Sequence, residues 1–382
     1  MALPDEGWNR YCPITIQGTE VSGSPSDFVA KLWWDGVVLN SNLPQEMFDA
    51  DGSYPCQANG GDIRVTSDEA GENLLPIHIR YITTDNNPAN ADCEIALGID
   101  TTGSNQTVYV WYNAGGSKTQ PGEAATGGIN DVYSSCLYAN ELDVSSGTGI
   151  IYDDRSGNGT DAEENGGLPD QRTGTVSTYR QDLDGAGDFI DFNTNRLSTT
   201  AEDIVVFSMW VEPDDADIYI PIFSSAGDTN NGDFNLFIDN EFDELGITVV
   251  GNDDGEGGDE HVETGTFADG VEYHIALRYN VDTGQSELYR NGVSLGTLTW
   301  DAMYALRLQE ICDIGQDLFS DEANALFDEV MIMIDYNKGD NYWATYYSSW
   351  DDPYNFISVG TPQSPAVSTK HPWFFRTGIN SQ

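Results

Sequence analysis

Short segments in which apolar and polar residues alternate run through almost the whole of this chain, and turn-forming residues separate them about every 8–12 positions. The sequence contains 40 glycines, and only one stretch, NYWATYYSSW at positions 341–350, has the pattern of a helix. Many short strands with frequent turns are typical of β-sandwiches. We therefore predict an all-β fold.

The clearest single turn lies within SELYRNGVSLGTL, at positions 286–298. Asn291 and Gly292 suit a two-residue type I′ turn, because both central positions of that turn have positive φ. A loop of this length places Leu288 opposite Leu295, so that both side chains lie on the core face of the hairpin. We interpret the hairpin as part of the scaffold and assign no function to Asn291.

The length of 382 residues predicts two or three domains. A passage rich in Gly, Thr and Ser, NAGGSKTQPGEAATGGIN, separates two blocks of strands and has the composition of a linker. The predicted divisions are an N-terminal β-sandwich domain at 1–116, a linker at 117–130, a second sandwich domain at 131–360 and a short C-terminal docking tail at 361–382.

The net charge of −49 arises from 64 Asp and Glu against 15 Lys and Arg, of which only four are Lys. A surface this acidic repels itself in dilute buffer, whereas at molar salt the Debye length falls to about 3 Å and the repulsion is screened. The excess of Asp and the scarcity of Lys resemble proteins of halophilic archaea and their viruses, and an ordinary acidic extracellular protein is the alternative. Either reading predicts no nucleic-acid partner, because the phosphate backbone would be repelled.

The first residues, MALPDEGWNRY, are acidic where a secretory signal peptide is basic, and no apolar segment follows. No run approaches about 18 apolar residues, so no membrane insertion is expected. These features predict a chain that stays in the cytoplasm or leaves inside a virus particle. The five cysteines lack metal-binding spacing. Disulfides in the N-terminal third and buried free thiols both stay open, and a reducing cytosol favours the thiols.

The segment TPQSPAVSTKHPWFFRTGINSQ, at 361–382, differs from the rest of the chain because it contains no acidic residue. Three consecutive aromatic side chains exposed to water would cost about 25 cal/mol per Å² of apolar area. A disordered tail is the alternative, but this composition favours docking on the body of the protein or on a partner. The predicted assembly anchor consists of Lys370, Trp373, Phe374, Phe375 and Arg376.

The first block of strands resembles a small β-domain of unknown function that precedes lectin-like domains in prokaryotic surface proteins and some phage proteins. The segments that carry this resemblance are WNRYCPITIQGTEV, GGDIRVTSDEAGENLLPIHI and TVYVWYNAGG. The similarity covers about residues 7–116, and it departs from the family pattern at Val65 and at Asn113.

The second block, about 131–360, resembles the laminin-G/concanavalin A-like jelly roll. The matching segments are DLDGAGDFIDF, FSMWVEPDD, EYHIALRYNVDTGQSELYRNGVSLG and LFDEVMIMID. The resemblance implies a second β-sandwich with binding loops at its rim. It implies little about activity, because such sandwiches serve binding, catalysis and structure alike.

The chain is predicted not to be an enzyme. Jelly rolls that cleave polysaccharides need paired carboxylates about 5.5 Å apart, and the nearest string, EFDELG at 241–246, lacks the final Glu of the usual motif. His78 and His274 lie within predicted strands, and the sequence has neither a nucleophile elbow nor a phosphate loop. A polysaccharide-cleaving enzyme that uses Glu241 and Asp243 is kept as an alternative.

The rim loops GDTNNGD (227–233) and GNDDGEGGDE (251–260) are the candidate binding elements. Carboxylate and amide oxygens suit Ca²⁺, polar and aromatic side chains suit sugars, and solvated loops without a specific ligand are the alternative. The candidate glycan-binding residues are Tyr304, Asp228, Asn230 and Asn231. The candidate calcium ligands are Asp228, Asp233, Asp253, Asp254 and Asp259, and no other cofactor is expected.

Together these features predict a non-enzymatic structural protein on the surface of a virus that infects a halophilic, archaeal host. Such a spike, turret, fibre or decoration subunit would form homo-oligomers, contact other virion proteins and present its lectin-like domain to a host surface glycan or glycoprotein. The alternative is a cellular adhesin or glycan-binding surface protein, located outside the cell or on its surface.

Overall fold

The structure is a computed structural model that describes residues 2–37, 41–142, 150–165, 170–172, 180–185, 187–192, 204–214, 220–226, 233–239, 246–252, 258–263, 267–280, 285–299, 311–316, 322–334 and 338–365. Within these ranges the named strands pair in an antiparallel manner and form four sheets. The predicted all-β fold with two β-sandwiches in series, the second of them concanavalin A-like, is confirmed.

The strands of the N-terminal sandwich precede those of the jelly roll along the chain, except for the last one. The first group comprises β1 (Trp8–Ile16), β2 (Phe28–Trp34), β3 (Arg64–Thr66), β4 (Leu74–Leu75), β5 (Ile77–Ile82), β6 (Cys93–Ile99) and β7 (Gln106–Ala114). The second comprises β8 (Cys136–Asn140), β9 (Ile151–Tyr152), β10 (Ala162–Asn165), β11 (Asp170–Arg172), β12 (Arg180–Asp184), β13 (Phe189–Asp191), β14 (Ile204–Pro213), β15 (Ile220–Ala226), β16 (Asp233–Asp239), β17 (Gly246–Asn252), β18 (Gly258–Glu263), β19 (Tyr273–Asn280), β20 (Gln285–Arg290), β21 (Val293–Thr299), β22 (Ile311–Ile314) and β23 (Asn324–Ile334). The final strand is β24 (Ile357–Val359).

The described helices are short. They are α1 (Ile129–Val132), α2 (Asp340–Asp351) and α3 (Pro353–Phe356), with single 3₁₀ turns at Leu3–Glu6, Gln45–Met47 and Pro88–Asn90. Helix α2 confirms the helix predicted at 341–350. No helix within the described part of the chain is both long and apolar enough to cross a lipid bilayer.

The N-terminal sandwich packs a five-stranded sheet, in the order β24-β1-β7-β3-β4, against a three-stranded sheet, in the order β2-β6-β5. The C-terminal strand β24 therefore completes the sheet that begins with β1. Beyond it, the backbone of Gln363 exchanges two hydrogen bonds with Tyr11, of 2.9 and 2.7 Å. The domain boundaries at 116, 130 and 360 stay predictions, and the anchor residues at 370–376 lie outside the described residues.

The jelly roll packs two eight-stranded sheets face to face. One has the order β18-β17-β16-β15-β22-β13-β10-β9, and the other has the order β11-β12-β23-β14-β19-β20-β21 with β8 paired to β23. The core between them is apolar, and the rings of Phe207 and Phe223 meet across it with centroids 4.3 Å apart. All five cysteines of the chain are buried free thiols, which is one of the two states left open by the sequence.

Strand β14 is buried on both of its faces. Val205 and Phe207 point into the core of the jelly roll, whereas Val206 and Trp210 belong to the apolar cluster of the N-terminal sandwich. Alternate residues of a strand lie on opposite faces of the sheet, so a strand between two cores has no polar face. The almost continuous apolar sequence IVVFSMWV follows from this position.

The hairpin at 286–298 has the predicted turn, because φ is 52° at Asn291 and 74° at Gly292. The predicted pairing of Leu288 with Leu295 is wrong. A bulge shifts the register, so that Leu288 lies opposite Gly296. Leu295 nevertheless packs against the same core as Leu288, as expected from their shared face.

Gly292 is expected to tolerate no side chain. In addition to its positive φ, a Cβ atom at this position would lie 2.9 Å from Ala344 Cα, Trp343 O and Tyr347 Cβ of helix α2. We expect Gly292→Ala to lower the free energy of unfolding by about 2–4 kcal/mol, because overpacking adds to the cost of the backbone conformation. Urea unfolding measures this change, and Gly270→Ala is the matched control.

Gly270 has a similar φ of +64°, but nothing lies within 4 Å of a Cβ atom built there. Its replacement by Ala is expected to cost only about 1–2 kcal/mol, from the backbone conformation alone. Equal losses for the two variants would contradict a close contact between the turn and helix α2.

Candidate functional site

Helix α2 lies between the two sandwiches and contacts both. The Tyr342 ring packs edge-on against Phe28 of β2, with centroids 5.7 Å apart. On the other side, the Trp343 ring lies 5.5 Å from His274 of β19. One buried apolar cluster therefore extends from the N-terminal sandwich, across the helix, to the outer face of the second jelly-roll sheet.

Four charged side chains are buried where the three-stranded sheet meets β23. Arg80 forms ion pairs with both Glu94 and Glu329, and Lys31 Nζ lies 3.7 Å from Glu94 Oε2. Each of the four side chains is at most 3% exposed. Burying an ion costs several kcal/mol unless it is paired, and here the carboxyls of Glu94 and Glu329 lie against the side chains of Arg80 and Lys31. The network joins the N-terminal sandwich to Glu329 of the jelly roll.

A second buried charge cluster lies next to this network. His78 Nδ1 is 2.7 Å from Glu141 Oε1, and Arg155 Nε donates a 3.2 Å hydrogen bond to Glu141 Oε2. Burial alone would raise the pKa of Glu141, but His78, Arg80 and Arg155 outweigh it and hold that pKa well below its usual range. The ionised carboxylate thus ties β5 to the segments that follow β8 and β9.

Glu329 reaches this network from a β-bulge. The φ of Glu329 is 54°. The register between β14 and β23 shifts opposite this residue, between Ser208 and Trp210 of β14. A left-handed backbone costs a residue other than Gly about 1–3 kcal/mol and persists only where its surroundings fix it. Burial raises the pKa of Glu329 well above its usual value, while Arg80 opposes that rise. The bulge therefore serves to place a carboxylate against Arg80.

Ser208 and His274 form a hydrogen-bonded pair, with 2.9 Å between Ser208 Oγ and His274 Nε2. The two residues are 1% and 0% exposed, and the pair is enclosed by the rings of Trp210, Trp343 and Tyr346. A substrate cannot reach a hydroxyl in this position, so the pair is structural.

Acid is expected to destabilise the chain through His274. Burial lowers the pKa of His274 to about 3, whereas the unfolded chain takes up this proton near pH 6.5. Between these values the unfolded state binds more protons, so stability falls as the pH drops, by about 2–3 kcal/mol at pH 4.5.

The measurement is urea unfolding in molar KCl at a series of pH values. His274→Gln keeps a hydrogen-bonding group beside Ser208 but cannot titrate, so its stability should fall less steeply below about pH 6.5. Carboxylates titrate in both proteins and cancel in the comparison. Identical pH profiles would contradict a neutral His274 in the folded chain.

A polar cavity of about 560 Å³ opens at the same junction. Its walls are the loop 24–26 of the N-terminal sandwich, Glu287 of β20, and residues 338–342 at the start of α2. Cavities of about 300–1,000 Å³ at domain interfaces are frequent ligand sites. Within the described part of the chain, this cavity is therefore a candidate for ligand binding.

The candidate residues predicted for glycan and calcium binding are not tested by this structure. Tyr304, Asp228, Asn230, Asn231, Asp253 and Asp254 lie outside the described residues, as do Glu241 and Asp243. The backbones of Asp233 and Asp259 lie near the same end of β16, β17 and β18, because Asp233 pairs with Asn252 and Asp259 with Val250. No group of three or more potential metal ligands occurs among the described residues.

Sequence reasoning missed both the buried charge network and the cavity. The network has a signal in the sequence, because Lys31 and Glu94 interrupt the otherwise apolar strands FVAKLWW and CEIALGI. A charged residue in the middle of a buried strand needs a partner of opposite charge. The cavity has no comparable signal, because its walls come from three separate segments, with residues 24–26 about 260 and 310 positions before the other two.

One family profile matches part of the chain within the second sandwich. Residues 184–336 match the sequence profile of the concanavalin A-like lectin/glucanases superfamily. No curated protein matches the chain. The resemblance of residues 7–116 to a small β-domain stays a prediction.

Several solved structures are partly similar. The receptor-binding domain of botulinum neurotoxin C/D mosaic serotype has 16% identity and a TM-score of 0.44, with 59% of this chain and 55% of that chain covered. The binding domain of botulinum neurotoxin serotype D has 19% identity and a TM-score of 0.42, with 58% and 51% covered. The chain thus spans about half the length of these two domains.

Another similar structure is domain 4 of an extracellular arabinanase from Geobacillus stearothermophilus, in complex with arabinotriose. It has 16% identity and a TM-score of 0.44, and the similar region covers 56% of this chain and 98% of that domain.

Proposed function

We propose that this chain is a non-enzymatic attachment protein, in which the N-terminal sandwich holds a lectin-like jelly roll in a fixed orientation toward a surface glycan. The observation that carries the proposal is the buried junction. Arg80 bridges Glu94 of one sandwich and Glu329 of the other, and helix α2 contacts both. A rigid join suits a protein that transmits a load between an assembly and a target, whereas flexible linkers are usual where domains act independently.

The finer proposal is a structural protein on the surface of a virus with a halophilic, archaeal host, such as a spike, turret, fibre or decoration subunit. The net charge of −49 and the four lysines support adaptation to salt. In this setting the chain would form homo-oligomers and contact other virion proteins. A cellular adhesin would use the same junction and the same ligand, and locating the chain in an image of purified particles separates the two.

Attachment is tested by adding labelled full-length chain to intact cells of a halophilic archaeon in molar KCl. We expect saturable binding that is lost after periodate oxidation of the cell-surface sugars. A control chain unfolded by heat should not bind. Binding that is insensitive to periodate would count against the proposed function. Release of reducing sugar by the purified chain would also count against it and would favour a polysaccharide-cleaving enzyme.

The tail and the rim loops complete the proposal. Residues 361–365 lie along β1, so removal of residues 366–382 alone would leave this contact and delete the proposed anchor at Lys370, Trp373, Phe374, Phe375 and Arg376. We expect that truncated chain to fold but not to enter particles. Calcium binding by the rim loops at Asp228, Asp233, Asp253, Asp254 and Asp259 predicts saturable heat on titration with Ca²⁺ in high salt.

A further inference from the structure

We propose that the polar cavity between the two sandwiches is a binding site for a neutral saccharide, at the position where loop 24–26, Glu287 and the start of helix α2 meet. The proposal rests on the proposed glycan-binding function and adds a site made of residues other than those of the rim loops.

The walls of the cavity offer both donors and acceptors of hydrogen bonds. Ser24 and Ser26 carry hydroxyl groups, Asn341 carries an amide, and Glu287 and Asp340 carry carboxylates. A sugar hydroxyl donates one hydrogen bond and accepts others, so it can use groups of either kind. A ligand with many hydroxyl groups fits this lining better than an apolar one.

The charges around the cavity favour an uncharged ligand. Glu287 is 3.8 Å from Arg278, its cross-strand neighbour, and so is partly neutralised. The Lys338 ammonium donates a 2.8 Å hydrogen bond to Ser26 O and lies 4.2 Å from the centre of the Tyr342 ring. Lys338 thus already makes the cation–π contact with the Tyr342 ring that a cationic ligand would otherwise make. An anionic ligand would meet two carboxylates on a chain of net charge −49.

The groups that line the cavity are held in place before a ligand binds. Lys338 is 5% exposed, and its anchoring hydrogen bond crosses from the start of α2 to the N-terminal sandwich. The Asn341 side chain accepts a 2.7 Å hydrogen bond from the Ser22 hydroxyl, and the Ser22 backbone donates one of 2.9 Å to Thr345. Groups already ordered lose little further entropy on binding, and this increases affinity.

A buried tyrosine lies behind the cavity. Tyr289 is fully buried, and its hydroxyl lies 4.0 Å from the point that a Cβ atom at Gly339 would occupy. Burial, and then interaction with Glu287 and Asp340, raises the pKa of Tyr289. The tyrosine therefore stays protonated, and the absence of a side chain at Gly339 leaves the floor of the cavity open beside it.

The test is calorimetric titration of the full-length chain in molar KCl with glucose, galactose, mannose and their disaccharides, and with N-acetylneuraminic acid as the anionic comparison. We expect saturable binding of at least one neutral sugar and none of the anionic one. Ser24→Tyr, which places a bulky side chain at the exposed mouth of the cavity, should weaken that binding at least tenfold. Asp340→Asn, at another exposed position, should weaken sugar binding several-fold, because it removes the charge and keeps the shape of the side chain.

The matched control is Ser53→Tyr, an exposed serine that does not line the cavity, and it should bind as the unmodified chain does. Undiminished binding by both Ser24→Tyr and Asp340→Asn would overturn the site, as would the absence of binding by every neutral sugar tested. If periodate-sensitive attachment to cells persists in either case, the proposed function stands and its ligand binds elsewhere.

Discussion

Arg80→Met is expected to lower the free energy of unfolding by about 3–5 kcal/mol, which is a large part of the stability of a typical domain. The guanidinium pairs with Glu94 and Glu329, both almost fully buried, and lies 5.2 Å from the centre of the Trp350 ring. Met retains much of the apolar volume but leaves two carboxylates without this partner. Of the two, Glu94 still has Lys31 at 3.7 Å, so most of the loss should arise at Glu329.

This origin can be tested by adding Glu329→Gln to Arg80→Met. If the loss arises because the buried Glu329 carboxyl is left without its partner, the double variant should regain about 1–3 kcal/mol. Urea unfolding in molar KCl is the measurement, because guanidinium chloride would itself change the ionic strength. No recovery in the double variant would show that lost packing, rather than the unpartnered Glu329 carboxyl, dominates.

The matched control is Arg10→Met. Arg10 Nε donates a 2.6 Å hydrogen bond to Glu46, but the two side chains are 16% and 33% exposed. Solvent-exposed pairs contribute about 0–1 kcal/mol. Because Arg10 also donates a second hydrogen bond to Glu46, of 3.0 Å from Nη2 to Oε2, we expect a loss of about 1 kcal/mol, well below that of Arg80→Met. Similar losses for Arg10→Met and Arg80→Met would contradict a special role for the buried network.

Local sequence patterns predicted the fold class and its short-range features. Asn291 and Gly292 adopt the positive φ values that their turn requires, because such a turn depends only on residues within it. Helix α2 could be found for the same reason. The predicted pairing of Leu288 with Leu295 was wrong. The bulge that places Leu288 opposite Gly296 depends on how the hairpin packs against neighbouring elements.

Features that depend on long-range contacts were harder to predict from the sequence. Strand β14 could be recognised as buried, but its sequence does not say that Trp210 contacts helix α2 while Val211 contacts the jelly-roll core. The positions of Lys31 and Glu94 within apolar strands are a signal of buried charge that the sequence analysis did not use, and nothing near them identifies Glu329 as a further member of their network. That assignment depends on a bulge in a strand about 230 residues later in the chain, so only the three-dimensional fold provides it.

Transfer from molar KCl to dilute buffer is expected to unfold the chain. The chain has a net charge of −49, and most of the described Asp and Glu side chains are exposed or half-buried. Their mutual repulsion reaches about 10 Å at 0.1 M salt but only about 3 Å at 1 M. Circular dichroism during stepwise removal of KCl measures the transition. Replacing the exposed Glu20, Asp51 and Glu72 by Lys should move it to lower salt, because these changes reduce the repulsion.

The buried network provides an internal comparison for this salt dependence. Arg80, Glu94 and Glu329 are almost inaccessible to solvent ions, so salt should screen them far less than the surface. The stability lost in Arg80→Met should therefore be nearly the same at every salt concentration at which the chain folds. A loss that grew as salt was removed would mean that the junction itself opens in dilute buffer, and full stability of the unmodified chain without salt would refute the proposed adaptation to brine.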